Sequence, residues 1–187
     1  MSTSHSSIIK LTSGDICRSG VSPLGGHKMY LKNDETSETE KTKKERAKEE
    51  LANIGYSETV IDHWLNPRNL GQMQNYNGFS GKISSSCGDS IWIWIKVEKR
   101  IVKKATFMSD ICIGAVSAGS ILTEMIKGKD IARILAISAD DILTALGGLP
   151  KKYEHCAGLA ANALKYAIAD YNAYEAAPWK KFYEQKK

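Results

Sequence analysis

The sequence predicts an α+β domain: a small antiparallel sheet of about three strands, covered by helices and closed by a long C-terminal helix. Two patterns carry that prediction. From Ile91 to Val97, Ile91, Ile93, Ile95 and Val97 alternate with Trp92, Trp94 and Lys96, the period of two that marks a half-buried strand. Near the C-terminus, Cys156, Leu159, Ala160, Ala163, Leu164, Ala167, Ile168 and Tyr171 recur at i, i+3, i+4, i+7, one apolar stripe of a helix. Strands first and helices afterwards place the helices on one face of the sheet.

The chain falls into three parts. Residues 1–55 form a polar leader, Ser/Thr-rich and then densely charged from Asp34 to Glu50, expected to be disordered or partly helical. The i,i+4 pairs Glu40/Lys44, Lys41/Glu45 and Arg46/Glu50 favour a solvated helix near 38–52. Residues 56–174 are the folded body, and 175–187 a basic tail. In the body, Ser57 caps a helix through Val60, Ile61 and Trp64 that ends before Pro67. A weaker strand is expected around Gly78–Ser84, and Ile101–Met108 is the antiparallel partner of the Ile91–Val97 strand, joined to it through Glu98-Lys99-Arg100. The small residues Gly114, Ala115, Ala118 and Gly119 then open a helix that Gly128 ends in a left-handed conformation. A short helix over Ile131–Leu135 and one from Ser138, with Asp141 completing a capping box, lead to Gly147-Gly148-Leu149-Pro150 and the last helix. Trp92 and Trp94 lie opposite the isoleucines, where two adjacent indoles in water would form a sticky patch; the leader, a second subunit or a partner is expected to cover them, the alternative being that they are tolerated surface aromatics.

With 187 residues, 42% hydrophobic and 25% charged, the chain can bury one sizeable core. Four cysteines, with Cys17 alone in the leader, do not make a secreted disulfide framework, and no apolar run is long enough for a membrane span or signal peptide. A reducing compartment follows, and the cytoplasm is the expected one. The alternative is a mitochondrion or related organelle: the first fourteen residues lack acids, but Lys10 is their sole lysine and they hold no arginine. The net charge of +5 is mild and its lysines are interleaved with acids, so neither nucleic acid nor a membrane is the expected partner, and an acidic protein is.

The chemistry concentrates in Cys87-Gly88-Asp89, Cys112 and His155-Cys156. Thiolate, imidazole and carboxylate together suit zinc, ferrous iron or an iron–sulfur cluster. Each group lies at a segment end, where a scaffold presents function: Cys87-Gly88-Asp89 between strands, Cys112 at a strand-to-helix junction, Cys156 in the first turn of the long helix. There the helix dipole favours thiolate. Taken singly, each residue has an ordinary alternative: a buried cysteine is a small hydrophobe, Asp89 a turn residue, His155 a surface histidine.

The ordered set Tyr56-Ser57-Glu58, Val60-Ile61-Asp62-His63, Asn66-Pro67-Arg68-Asn69-Leu70-Gly71, Cys87-Gly88-Asp89, Cys112, Thr123-Glu124, Lys127-Gly128-Lys129, His155-Cys156 and Ala167-Ile168-Ala169-Asp170-Tyr171 resembles the IscU/NifU amino-terminal family of iron–sulfur cluster assembly scaffolds. The resemblance covers residues 56 to about 174. It implies an IscU-like fold that accepts sulfur from a cysteine desulfurase, binds iron, and passes a transient cluster, 2Fe-2S, to recipient apoproteins. Zinc is a candidate for the resting protein. Cys87, Cys112 and Cys156 would be cluster and metal ligands with Asp89 and His155 as alternative or auxiliary ones. Cys156 would accept sulfur, with Cys87 as the alternative, and Asp89 would be the labile ligand that lets the cluster leave. Such a chain is a scaffold and not a conventional enzyme.

Departures from the family pattern have consequences. Ile111 and Ile113 flank Cys112 where the family places glycines, and β-branched residues resist positive φ. The family's LPPVK chaperone motif is reduced to Leu149-Pro150, so an Hsp70-type chaperone with its co-chaperone is only partly implied. A related group, the SufU-like zinc sulfurtransferases, would instead carry persulfide; they follow Cys-Gly-Asp with arginine and lack the histidine, whereas this chain has Ser90 and His155.

Overall fold

The computed structural model describes residues 37–85, 88–110, 112–177 and 179. In chain order the elements are α1 (Ser37–Asn53), α2 (Glu58–Leu65), β1 (Gly78–Phe79), β2 (Ile83–Ser84), β3 (Ser90–Glu98), β4 (Ile101–Ser109), α3 (Ile113–Ile126), α4 (Ile131–Leu135), α5 (Ala139–Leu146), a 3-10 turn (Lys151–Tyr153) and α6 (His155–Ala176). The solvated helix anticipated near 38–52 is α1, which sends Leu51 into the core. Cys17 and the Ser/Thr-rich stretch lie outside the described residues.

β3 is the axis of the sheet. β4 pairs antiparallel along it from Ile91↔Ser109 to Glu98↔Ile101, with an irregularity between Lys96 and Val97. Since β4 occupies one edge throughout, β1 and β2 share the other, at Gly78↔Ile95 and Ile83↔Ile91 respectively. The single weak strand expected over Gly78–Ser84 is thus two short strands on one edge. Ser80 bridges the gap: its amide donates to Ile93 O (2.9 Å) and its hydroxyl accepts from Ile93 N (2.9 Å). The hairpin turn places Lys99 and Arg100 at φ of 51° and 65°, both left-handed as a two-residue loop requires for strand twist. Arg100 O is tied down by the amide of Ile131 at 3.0 Å.

Ile91, Ile93, Ile95 and Val97 are all buried and face the helices, as their alternation requires. α3 and α6 pack on that face. A Cβ on Gly119 would stand 2.4 Å from Phe107 Cδ2, so the glycine sets how closely α3 approaches β4. The α6 stripe from Cys156 to Tyr171 is buried at every predicted position. Ser57 caps α2 by accepting from Val60 N at 3.1 Å and donates its hydroxyl to Leu146 O, joining α2 to the end of α5. Ser138 and Asp141 form the expected capping box. Among the described residues no helix is long and apolar enough to cross a membrane.

The other face of the sheet differs from expectation at the tryptophans. Trp94 is 4% exposed, stacked on Phe79 with centroids 5.0 Å apart and planes 14° apart, and Tyr76 packs on Phe79 at 5.6 Å. The sheet's own edge strand therefore covers Trp94. The sequence pattern missed this because Phe79 is brought beside Trp94 by strand pairing, not by sequence proximity. Trp92 is half-buried, with Lys82 Nζ 5.5 Å above its ring.

Candidate metal centre

The β2–β3 connection, the start of α3 and the start of α6 meet at one end of the sheet. Gly88 has φ +93°, a conformation that costs a side-chain-bearing residue but not glycine. Its amide donates to Ser85 O (3.1 Å), and Ser85 N donates to Asp89 O (2.8 Å), so the loop folds back and leaves Asp89 at the foot of β3. Asp89 is buried, at 5%.

Asp89, His155 and Cys156 each offer a ligand atom, and these atoms lie within 4.8 Å of one another. His155 Nε2 is 3.7 Å from Asp89 Oδ2 and 3.6 Å from Cys156 Sγ. Cys112 joins through Cys156, with sulfurs 3.9 Å apart. Both cysteines are free thiols and fully enclosed, whereas the His155 side chain is 38% exposed. The arrangement is a buried sulfur and carboxylate wall with an imidazole at its mouth. Such a set of soft and borderline donors fits iron, zinc or an iron–sulfur cluster. Cys87 lies outside the described residues, two positions before Asp89.

Cys112 occupies the N-cap position of α3 with φ −89° and ψ 127°. Ile111 lies outside the described residues, and Ile113 opens α3 without a positive φ, so Cys112 enters its helix from an extended backbone. Its thiol is held below the ordinary value chiefly by a hydrogen bond from Cys156; the amides of Ala115 and Gly114 act the same way, while burial and the Asp89 charge oppose them. Sequence reasoning placed thiolate stabilisation by a helix start at Cys156. The geometry gives Cys112 the same environment.

Two tyrosines missed as site residues wall the thiol pair. Tyr56 and Tyr153 are both buried, with ring centroids 6.0 Å apart. Burial pushes the Tyr56 phenol well above its usual range, and Tyr153, Cys112 and Cys156 push in the same direction. Tyr153 ends the 3-10 turn just before His155, so the Leu149-Pro150 break is the sequence signal that could have located it. Gly114 completes the packing: a Cβ there would lie 3.0 Å from Cys156 Sγ and 3.2 Å from Tyr153 Cβ.

A small antiparallel sheet with a sulfur, carboxylate and imidazole cluster at its loop end, closed by a long helix, defines a metal- or cluster-binding α+β domain. Residues 55–177 match the NifU-like N-terminal domain, and the chain belongs to that family. It is 43% identical over 116 residues to the iron–sulfur cluster assembly scaffold protein IscU 1 of Archaeoglobus fulgidus, spanning 62% of this chain and 76% of the relative. Against the IscU scaffold of Escherichia coli identity is 41% over 124 residues, spanning 64% and 96%. The nitrogen fixation protein NifU of Azotobacter chroococcum is 38% identical over 122 residues, 64% of this chain and 40% of its own length. Two solved structures share the fold. An N-terminal NifU-like protein of Brucella abortus has a TM-score of 0.53 at 13% identity, covering 63% of this chain and 94% of its own. A protein described as an iron–sulfur assembly scaffold of the SUF system, from Fervidobacterium islandicum, has 0.52 at 18% identity, covering 63% and 98%.

Proposed function

We infer that the chain is a scaffold for iron–sulfur cluster assembly. The observation that carries this reading is the convergence of Asp89, His155 and Cys156 within 4.8 Å, with Cys112 Sγ 3.9 Å from Cys156 Sγ, in a chain 41–43% identical to named IscU scaffolds.

The cluster is cargo. Cys87, Cys112 and Cys156 supply its thiolates, offsetting the roughly +2 charge of an oxidised two-iron, two-sulfide core, and Asp89 with His155 supplies the weaker fourth position. Permanent electron carriers of this type usually use four cysteines; here an oxygen or nitrogen ligand in place of one leaves a side from which the cluster can depart. Sulfur arrives as the persulfide of a cysteine desulfurase. A scaffold thiolate attacks the sulfane sulfur, a new S–S bond forms on the scaffold, and the desulfurase leaves as thiolate. Two electrons from a donor then cleave that bond, giving sulfide and the original thiolate. Cys156 is the preferred acceptor, with Cys87 as the alternative. Recipient apoproteins take the finished cluster, and the thiols require a reducing compartment such as the cytoplasm.

Reconstitution tests the reading. With a cysteine desulfurase, L-cysteine, reductant and ferrous iron under anaerobic conditions, the protein is expected to gain visible absorbance and to bind iron and acid-labile sulfide in near-equal amounts. Stimulated desulfurase turnover without absorbance would overturn it.

A further inference from the structure

We propose that the outer face of the sheet is a docking surface for a carboxylate-rich segment of a partner protein, centred on Lys96 and Lys104. This surface is separate from the thiol site, and the proposal stands without the cluster reading. Trp92 pairs with Met108, Trp94 with Thr106 and Lys96 with Lys104, so all six residues share the face turned away from the helices. Like charges directly opposite on neighbouring strands destabilise a sheet. Among the described residues neither lysine has a carboxylate within ion-pair distance.

The segment after α2 supplies the second half of the surface. Gln72, Met73, Gln74 and Asn75 enclose, with Lys96 and Lys104, an open hollow of about 420 Å³. Two lysines and three side-chain amides are among the lining residues and no acidic residue is, a composition suited to carboxylates. Further along the face, Lys82 Nζ sits over the Trp92 ring, adding a third cation beside a half-buried aromatic.

Charge complementarity selects the occupant. A second copy docked through the same patch would oppose lysines to lysines. For single-stranded nucleic acid a bare stacking platform is needed, whereas Trp94 is buried under Phe79 and Trp92 lies beneath Lys82.

The experiment uses the full chain, isotope-labelled, titrated with a ten-residue polyglutamate peptide and separately with a ten-residue oligothymidylate. Amide NMR shifts are expected to concentrate at residues 72–75, 96 and 104. The double variant Lys96→Gln/Lys104→Gln should weaken peptide binding about tenfold, losing two charge contacts. Lys43→Gln/Lys44→Gln on α1, the same change in net charge, should leave it within twofold. Circular dichroism confirms that both variants fold. Equal weakening by both pairs, shifts centred elsewhere, tighter binding of the oligothymidylate, or self-association abolished by the Lys96/Lys104 pair would each overturn the proposal.

Discussion

The sulfur of Cys112 lies 3.9 Å from that of Cys156, 44 residues later in the chain. The first is held by the N-terminus of α3 and the second by that of α6, so two helices that pack on the same sheet face aim their first turns at one point. Replacing either cysteine by serine trades a soft sulfur donor for a hard hydroxyl. Cys112→Ser and Cys156→Ser are each expected to lower iron retention after reconstitution by more than the roughly 10–100-fold that loss of an outer-shell partner costs. Bound iron and sulfide after gel filtration measure this, and retention equal to wild type in either variant would remove that residue from the ligand set.

Asp89 is buried beside an imidazole at the foot of β3. In the proposed scaffold Asp89 is the labile ligand that serves release, a role implied by the resemblance to the scaffold family. On that reading Asp89→Ala impairs release and is expected to hold its cluster longer than wild type. Transfer to an apo-ferredoxin, followed by absorbance, checks the direction, and faster transfer from the variant would contradict it.

Gly114 offers a test of how tightly the thiol is placed. In Gly114→Ala the new methyl meets Cys156 Sγ at 3.0 Å and Tyr153 Cβ at 3.2 Å, so one of them must shift by a few tenths of an ångström. Alanine is otherwise the better helix former, by about 0.5–1 kcal/mol. Thermal stability should change little while cluster lifetime falls several-fold. A variant with unchanged lifetime would show that the packing around Cys156 tolerates the displacement.

Much of this organisation is legible in the sequence because it is local. The Ile91–Val97 alternation, the α6 stripe, the Ser57 cap and the Ser138/Asp141 box each depend on residues within a few positions, and each is found as expected. What was illegible depends on pairing across the chain. Phe79 reaches Trp94 only through β1–β3 register, and Tyr153 reaches Tyr56 only because the 3-10 turn delivers it to the thiols. The site shows both limits. Chemistry and order in the chain mark Asp89, His155 and Cys156, but their convergence is a tertiary fact that no spacing in the chain could establish.

His63 gives a pH prediction away from the thiols. It is buried, with Nδ1 2.7 Å from Ser120 Oγ and Nε2 3.7 Å from Glu124 Oε2. Burial, then Arg68, holds it below its ordinary value of 6.5, with Glu124 and Asp62 opposing in part. As pH falls below 6.5 the unfolded chain takes up this proton before the folded one does. The stability that neutral His63 contributes is thus full above pH 6.5 and is lost as pH falls toward its lowered folded value, at no more than about 1.4 kcal/mol per pH unit. Thermal unfolding between pH 7 and 5 should show a steeper decline in wild type than in His63→Asn; parallel declines would remove His63 as the cause.

Zinc separates the scaffold from the sulfurtransferase alternative. Zinc binds thiolate, imidazole and carboxylate readily, so its presence after purification does not discriminate, since it can fill an empty scaffold site. Its removal does. In a scaffold, a chelator that strips zinc frees Cys112, Cys156, His155 and Asp89, and cluster assembly with desulfurase, cysteine, reductant and iron should rise toward full occupancy. In a zinc-dependent sulfurtransferase the metal organises the acceptor thiol, so the same treatment would abolish desulfurase stimulation and iron would restore nothing. His155 sharpens the comparison, because its Nε2 is within 3.7 Å of both Asp89 and Cys156 and its side chain is the exposed member of the group. His155→Ala is expected to lower the yield of cluster in the zinc-depleted protein while leaving the fold intact by circular dichroism. Stimulation regained only with zinc, together with no cluster on the depleted protein, would overturn the scaffold reading.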